Sequence, residues 1–512
     1  MTGKAPALNG HAPFASHEDA AFTGTGDALL RSLAMAVIPV LVMAIVVPLL
    51  AWAASEAGTG LRVALRLLLT IPVAGFAPAI VGVAWAHATS QTMPLSVLAP
   101  LSDSALARMS VINGLAGVGL ICGVGVAALL AALRRRRTDR PGRTVANAVV
   151  IWGVAVLGTL AVSLQSSTLV TLLTSGGPAM KTTTLPSLEY RSALQMFRPG
   201  AGAAAGTVLL AVVAVLGLAA GLLLVLSKSR FEVDRERRTV GLLSGSSRGI
   251  GVVLGVLALV AVLVVVVLAL LPHVGLLTGY PGAARDTVHL DMITDRLVDS
   301  LLAAVLTVLV QVPLAYLAGL GVGAFRPLGR RSEWLLLPFS PWLFVSVAPL
   351  MTIAFINTVN HDHMNSMIGT MSPILVSVPA MFLFALFAKG HQVRWQAARE
   401  SGVRAPFART VLLPSLPLLA LVTVLALVVQ AHDLFWPLVV NTQPSAPVML
   451  VQMVLRAFSA GPPPMWLLAA AAPFALVALL ALLLLQVFYL DRLAFRTGPA
   501  DAGAVPDAAA GP

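Results

Sequence analysis

The sequence predicts an all-α polytopic membrane protein with about 11 transmembrane helices, its N-terminus outside and its C-terminus cytoplasmic. Three observations carry this. Apolar residues make up 58% of the 512 and charged ones only 11%, with a mean hydropathy of +0.92, too apolar for a soluble chain built around one core. Crossing roughly 30 Å of hydrocarbon takes about 20 apolar residues. Eleven runs near that length are free of Asp, Glu, Lys and Arg: 32–53, 67–86, 110–133, 145–172, 202–227, 249–272, 300–325, 334–357, 366–388, 410–431 and 464–490. Finally, if the spans alternate from an outside start, cytoplasmic segments hold 24 of the 33 Lys and Arg and outward segments 9. The positive-inside rule reads that bias as the orientation given. The net charge of +12 therefore points to a lipid bilayer and to no nucleic acid.

From the N-terminus, residues 1–26 read as a disordered tail, as do 498–512, both rich in Ala, Gly and Pro. No basic, apolar and small-residue pattern of a cleaved leader opens the chain. The single cysteine, Cys122, excludes an internal disulfide and reads as a small packing residue. The run Arg134 to Arg137 reads as a basic flank that orients helices.

A repeat then organises the chain. Asp27-Ala28-Leu29-Leu30-Arg31-Ser32-Leu33 matches Asp295-Arg296-Leu297-Val298-Asp299-Ser300-Leu301 at an offset of 268 residues, and Arg143-Thr144-Val145 matches Arg409-Thr410-Val411 at 266. Two parallel copies of a five-span unit follow, the second preceded by the extra span at 249–272. The expected units are a first half over 27–230, a charged cytoplasmic linker over 231–248 and a second half over 249–497. The glycine-rich Ser244 to Gly251 stretch leads into an unbroken apolar run, so it is read as membrane entry and not as a dinucleotide turn.

Between two apolar runs of the second half lies one long polar segment, Lys389 to Pro414, containing Gln396-Ala397-Ala398, Gly402 and Leu413-Pro414. It resembles the loop by which membrane subunits of ATP-binding-cassette (ABC) importers dock on their ATPase. Further on, His432-Asp433-Leu434-Phe435-Trp436-Pro437-Leu438-Val439 is similar to a stretch of the carbohydrate (maltose-type) permeases. In the first half, Leu173-Thr174-Ser175-Gly176-Gly177-Pro178 with Tyr190 and Ala193 resembles the partner permease of the same transporters. The resemblance implies two permease halves fused in one chain, serving carbohydrate transport across the cell membrane. It implies two copies of an ABC ATPase that carry ATP and Mg, an extracytoplasmic solute-binding protein, and a small solute, a sugar or oligosaccharide. The implied coupling residues are Gln396, Ala397, Ala398, Gly402, Leu413 and Pro414.

Two departures from that pattern stand out. Gln396 and Ser401 take the places of acidic residues, and Gly402 stands one residue closer to Leu413-Pro414 than is common. In the first half the aligned positions are Leu130-Ala131-Ala132, Arg136 in place of Gly402, and Asn147-Ala148, a degenerate coupling loop. Coupling is therefore expected to rest on the second half.

No Gly-x4-Gly-Lys-Ser/Thr phosphate loop occurs in the sequence, so no cofactor is expected in this chain and hydrolysis is expected on a separate subunit. His361-Asp362-His363 reads as a solvated loop and not as a metal site, and no catalytic cluster is read. For a substrate path the candidates are Asn113, Gln311, Asn357, Gln430, Asp433 and Trp436, polar groups in or near spans that either line a water-filled route or tie helices together. The alternatives are a fused permease for iron or thiamine-type solutes, an ion-coupled secondary transporter and a scaffold that has lost coupling. The ion-coupled reading is disfavoured because no expected span contains a titratable acid or base.

Overall fold

The computed structural model describes residues 24–78, 80–82, 105–134, 141–174, 176–177, 179–233, 245–278, 290–400, 406–443 and 466–498. Residues 1–23 and 499–512 of the expected tails and Gly402 lie outside them, while Thr25 and Gly26 open α1. The main elements are α1 (Thr25–Glu56), α2 (Thr59–Ala74), α3 (Ala105–Leu133), α4 (Pro141–Leu164), the short α5 (Leu185–Tyr190), α6 (Pro199–Leu226) and β1 (Arg230–Val233). They continue with α7 (Gly245–Thr278), α8 (Leu290–Leu320), α9 (Met351–Asn360), α10 (Val378–Glu400), α11 (Leu413–Ala431), α12 (Phe435–Val440), α13 (Trp466–Phe488) and β2 (Leu493–Arg496). The protein is overwhelmingly helical, and its two short strands pair with each other.

Among the described residues, eight helices are long and apolar enough to cross a membrane: Thr25–Glu56, Ala105–Leu133, Pro141–Leu173, Pro199–Leu226, Gly251–Leu271, Leu301–Phe325, Ala408–Ala431 and Phe474–Arg492. This is a multi-pass membrane architecture. The other three runs read as spans behave differently. Helix α2 has 16 residues, carries Arg62 and Arg66 and stops at Gly75. The run at 334–357 is broken: Gly329–Trp342 is a 3-10 helix holding Pro338 and Pro341, and α9 begins only at Met351. The run at 366–388 is irregular before α10 starts at Val378. Composition counts proline as compatible with a span, but proline lacks the N–H that an α-helix needs and clashes with the preceding turn.

At the two prolines inside α1, a neighbour supplies the missing donor. Pro48 leaves the Ala44 carbonyl without its helical N–H, α1 widens into a π-type turn over Val42–Val46, and the Trp152 indole of α4 donates to that carbonyl at 3.1 Å. Pro39 frees the Met35 carbonyl in the same way, and Asn113 Nδ2 of α3 donates to it at 3.3 Å. A polar group in an apolar bundle is retained here because it satisfies an orphan backbone acceptor.

The two expected halves are interleaved. Helix α7 packs on α1, α2 and α3, and α13 packs on α2 as well as on α11. The broken segment of the second half lies along α6, where Gly217 and Gly221, one helical turn apart, let the Ser340–Pro341 backbone approach closer than any side chain would permit. Since α6 has 28 residues, it spans about 42 Å at 1.5 Å per residue and separates two ends. One end gathers α5, the Ser346–Asn360 region and α12; the other gathers β1, β2, Lys389 and Glu333.

Candidate functional site

At the end that holds the strands, the last turns of α10 are fixed by charge. Lys389, 7% exposed, donates to the Ser229 carbonyl at 2.9 Å and pairs with Glu333 Oε2 at 2.7 Å, while Arg326 holds the other Glu333 oxygen at 3.4 Å. Burial pulls the Lys389 ammonium down to about 8, against the hydrogen bond and charge of Glu333, which hold it up. One turn further the His391 ring stacks on Phe387 at 4.2 Å.

The end of α10 and the returning chain are pinned by aromatics. Trp395 meets Phe407 edge to face at 5.6 Å, and Phe407 stacks on Phe325 at 5.4 Å. Gln396 is exposed beside this pin, with Ala397 and Ala398 following it in α10. The chain returns through a π-type turn over Ala408–Leu412, and Leu413 and Pro414 open α11, with Pro414 in the first turn, where its missing N–H costs nothing. Leu413 is exposed. Ser415, just beyond, shares a 2.7 Å hydrogen bond with Tyr316 of α8, fixing α11 to the bundle. Most of the corresponding described positions of the first half are buried instead. Leu130, Ala131 and Ala132 are buried near the end of α3, Arg136 lies outside the described residues, and Asn147 is 2% exposed. Its Oδ1 accepts from the Thr497 N–H and hydroxyl, both at 2.8 Å.

Beneath α10 lies a clasp that sequence reasoning missed. β1 and β2 pair antiparallel from Arg230 opposite Arg496 to Val233 opposite Leu493, with Phe231 and Phe495 in edge contact at 5.2 Å. Glu232 receives Arg230 at 2.8 Å and Arg496 at 3.5 Å. Gly390 of α10 rests directly on the Phe231 carbonyl. Nearby, Asp491 joins the buried Arg62 and Arg66 of α2 at 3.6 and 3.1 Å. From sequence, 231–233 read as linker and 490–496 as the end of the second half, because a four-residue strand has no periodicity to detect.

At the opposite end, the structure brings together three of the expected path residues. Gln430, Asp433 and Trp436 line one cleft with Thr307, Thr370 and Ser372. Its free volume is about 20 Å³, room for a water and not for a sugar ring. Trp436 is 1% exposed, and its indole donates to the Gly369 and Met371 carbonyls, both at 3.0 Å, so the ring is a fixed wall. Asp433 accepts the Phe435 N–H at 3.0 Å. Burial pushes its carboxyl up to about 6, opposed by the backbone N–H groups of Phe435 and Trp436.

The remaining candidates stand apart. Gln311 is buried and donates to the Ile374 carbonyl. Asn357 is exposed on α9, and Asn113 serves the proline-freed carbonyl described above. Gln311 and Asn113 are ties between elements, as the structural alternative held. His361 and His363 are 6.1 Å apart, and no group of three metal-ligating side chains occurs among the described residues.

One buried acid escaped sequence reasoning. Glu189 of α5 is 1% exposed, and its Oε1 accepts the Thr352 N–H at 2.9 Å and the Thr352 hydroxyl at 2.8 Å. It lies between candidate spans, where a search confined to the spans does not look. Comparison with known proteins adds no assignment: the chain matches no protein-family model, no curated protein and no solved structure.

Proposed function

We propose that the chain is the membrane permease of an ABC importer in the cell membrane, with both permease halves fused and a sugar or oligosaccharide as its solute. The observation that carries the reading is the contact between the end of α10 and the start of the returning helix. Trp395 meets Phe407, Lys389 is rooted on Glu333, and Gln396 is exposed between them. A rigid pair of helices transmits the closure of a soluble motor as a rigid-body movement. Among the described residues, the burial of Leu130, Ala131, Ala132 and Asn147 supports unequal coupling by the two halves.

In this reading the partners are two ATPase copies carrying ATP and Mg, and an extracytoplasmic binding protein that delivers solute to the end bearing the Gln430–Trp436 cleft. A cleft with room for only a water is then the closed form of the path. The test is co-purification with an ABC ATPase in lipid nanodiscs, followed by hydrolysis assays with binding protein loaded with candidate sugars. Solute-dependent stimulation supports the proposal; uptake driven by an ion gradient without ATP sinks it. An ion-coupled transporter is the second reading, favoured by the buried Glu189 and by Asp433 in the cleft. A fused permease for iron or thiamine-type solutes shares the two-half plan but not the maltose-like motifs, and solute-loaded binding proteins separate it from the first reading.

A further inference from the structure

We infer that Glu189 is a proton-binding latch between the first and second halves: as a buried neutral acid it holds α5 against the start of α9, and its ionisation, although it strengthens the bonds to one oxygen, draws the bare charge toward water and so opens that contact. The geometry is specific. Thr352 lies in the first turn of α9, so both of its donors meet the carboxyl at a helix N-terminus, and both converge on Oε1. Oε2 is buried without a hydrogen-bond partner. A β-carbon at Gly206 of α6 would stand 2.7 Å from it, so the second oxygen is walled by apolar backbone. An ionised carboxylate needs both oxygens solvated or paired, and leaving one bare in such a place is costly. A neutral acid keeps the Oε1 hydrogen bonds without that charge.

The surroundings supply no counter-ion. The elements packed on α5 are α1, α6, α9, the π-type turn Arg191–Gln195 and the turn Ala348–Leu350. Of these, α6, α9 and Ala348–Leu350 contain no charged residue. Helix α1 carries Asp27 and Arg31, paired with each other at 3.7 Å, and Glu56 at its far end. The π-type turn carries Arg191, and Tyr190 adjoins Glu189 in the chain. What acts on the carboxyl is burial, which raises it, and the two Thr352 hydrogen bonds, which lower it; the balance lies at about 7. The folded value stands above the unfolded 4.5, so the contact's stabilisation is complete below the unfolded value and is lost as pH rises through about 7. Between pH 6 and 8 the neutral-to-ionised ratio passes from about 10:1 to about 1:10.

The test needs no substrate. Infrared spectra of the full chain in nanodiscs report the carbonyl stretch of protonated carboxyls, and hydrogen exchange reports the 348–356 backbone. A protonated-acid band that fades through neutral pH and is missing in Glu189→Gln is expected, with Asp433→Asn removing the other half-buried candidate. Exchange at 348–356, corrected for its intrinsic pH dependence, should rise about tenfold from pH 6 to 8 in the native chain and stay flat in Glu189→Gln. Thr352→Val, which keeps the N–H but removes the hydroxyl that favours ionisation, should move the midpoint upward. A band untouched by Glu189→Gln, a midpoint in the ordinary carboxylate range, or an unmoved midpoint in Thr352→Val overturns the latch.

Discussion

Replacing Gly390 by alanine probes the contact between α10 and the strand clasp. The added methyl would fall on the Phe231 carbonyl oxygen and stand 2.9 Å from its carbon. Both are backbone atoms in a paired strand, so no rotamer change relieves the overlap. Overpacking of this kind costs about 1–3 kcal/mol, whereas alanine in place of a helical glycine gains about 1 kcal/mol by propensity. The net expectation is a loss of about 0–2 kcal/mol, toward the upper end because the overlap is with rigid backbone. Gly321→Ala is the control, because nothing lies within 4 Å of its added carbon. Thermal unfolding in nanodiscs should place the two variants on opposite sides of the parent, or Gly321→Ala level with it. Amide exchange over 230–233 and 493–496 should accelerate in Gly390→Ala alone. A Gly390→Ala protein with parental melting and parental strand protection would refute the seating of α10 on the clasp.

Other outcomes follow from the same geometry. Trp395→Ala removes the edge contact with Phe407 that pins the two helices; ATPase co-purification should weaken severalfold while the melting temperature changes little, as read by pull-down and calorimetry. Glu333→Gln leaves the buried Lys389 ammonium without its carboxylate, a loss of about 3 kcal/mol or more. The lysine pKa, already down at about 8, should fall further, so that stability recovers as pH rises, measured by denaturation at pH 7 and 9. Asn147→Ala strips two acceptor bonds from Thr497 and should cost about 1–3 kcal/mol, with exchange at 493–497 accelerating first. Asp433→Asn should abolish any transport or binding transition centred near pH 6, where burial places that carboxyl, a point checked by uptake at pH 5 and 7.

The apolar runs, the lone cysteine and the density of Lys and Arg between runs were enough to fix a helical membrane protein, because crossing lipid forces every backbone group into helical hydrogen bonds and so writes length and composition into the chain. The polar segment at 389–414 was legible too, caught between two apolar ones, and Gln430, Asp433 and Trp436, close in sequence, do line one cleft. Composition says little about where a proline breaks a run, and so 334–357 read as a span although Pro338 and Pro341 sit in a 3-10 segment. Only the tertiary structure decided which polar groups are ties and which face a cleft. Asn113 answers a carbonyl freed by Pro39, 74 positions away in a chain whose sequence shows both residues and not their meeting. The same holds for Gly390 on Phe231, for β1 on β2, and for Glu189 against Thr352, 163 residues apart. Such pairings depend on packing between distant segments, and no local periodicity encodes them.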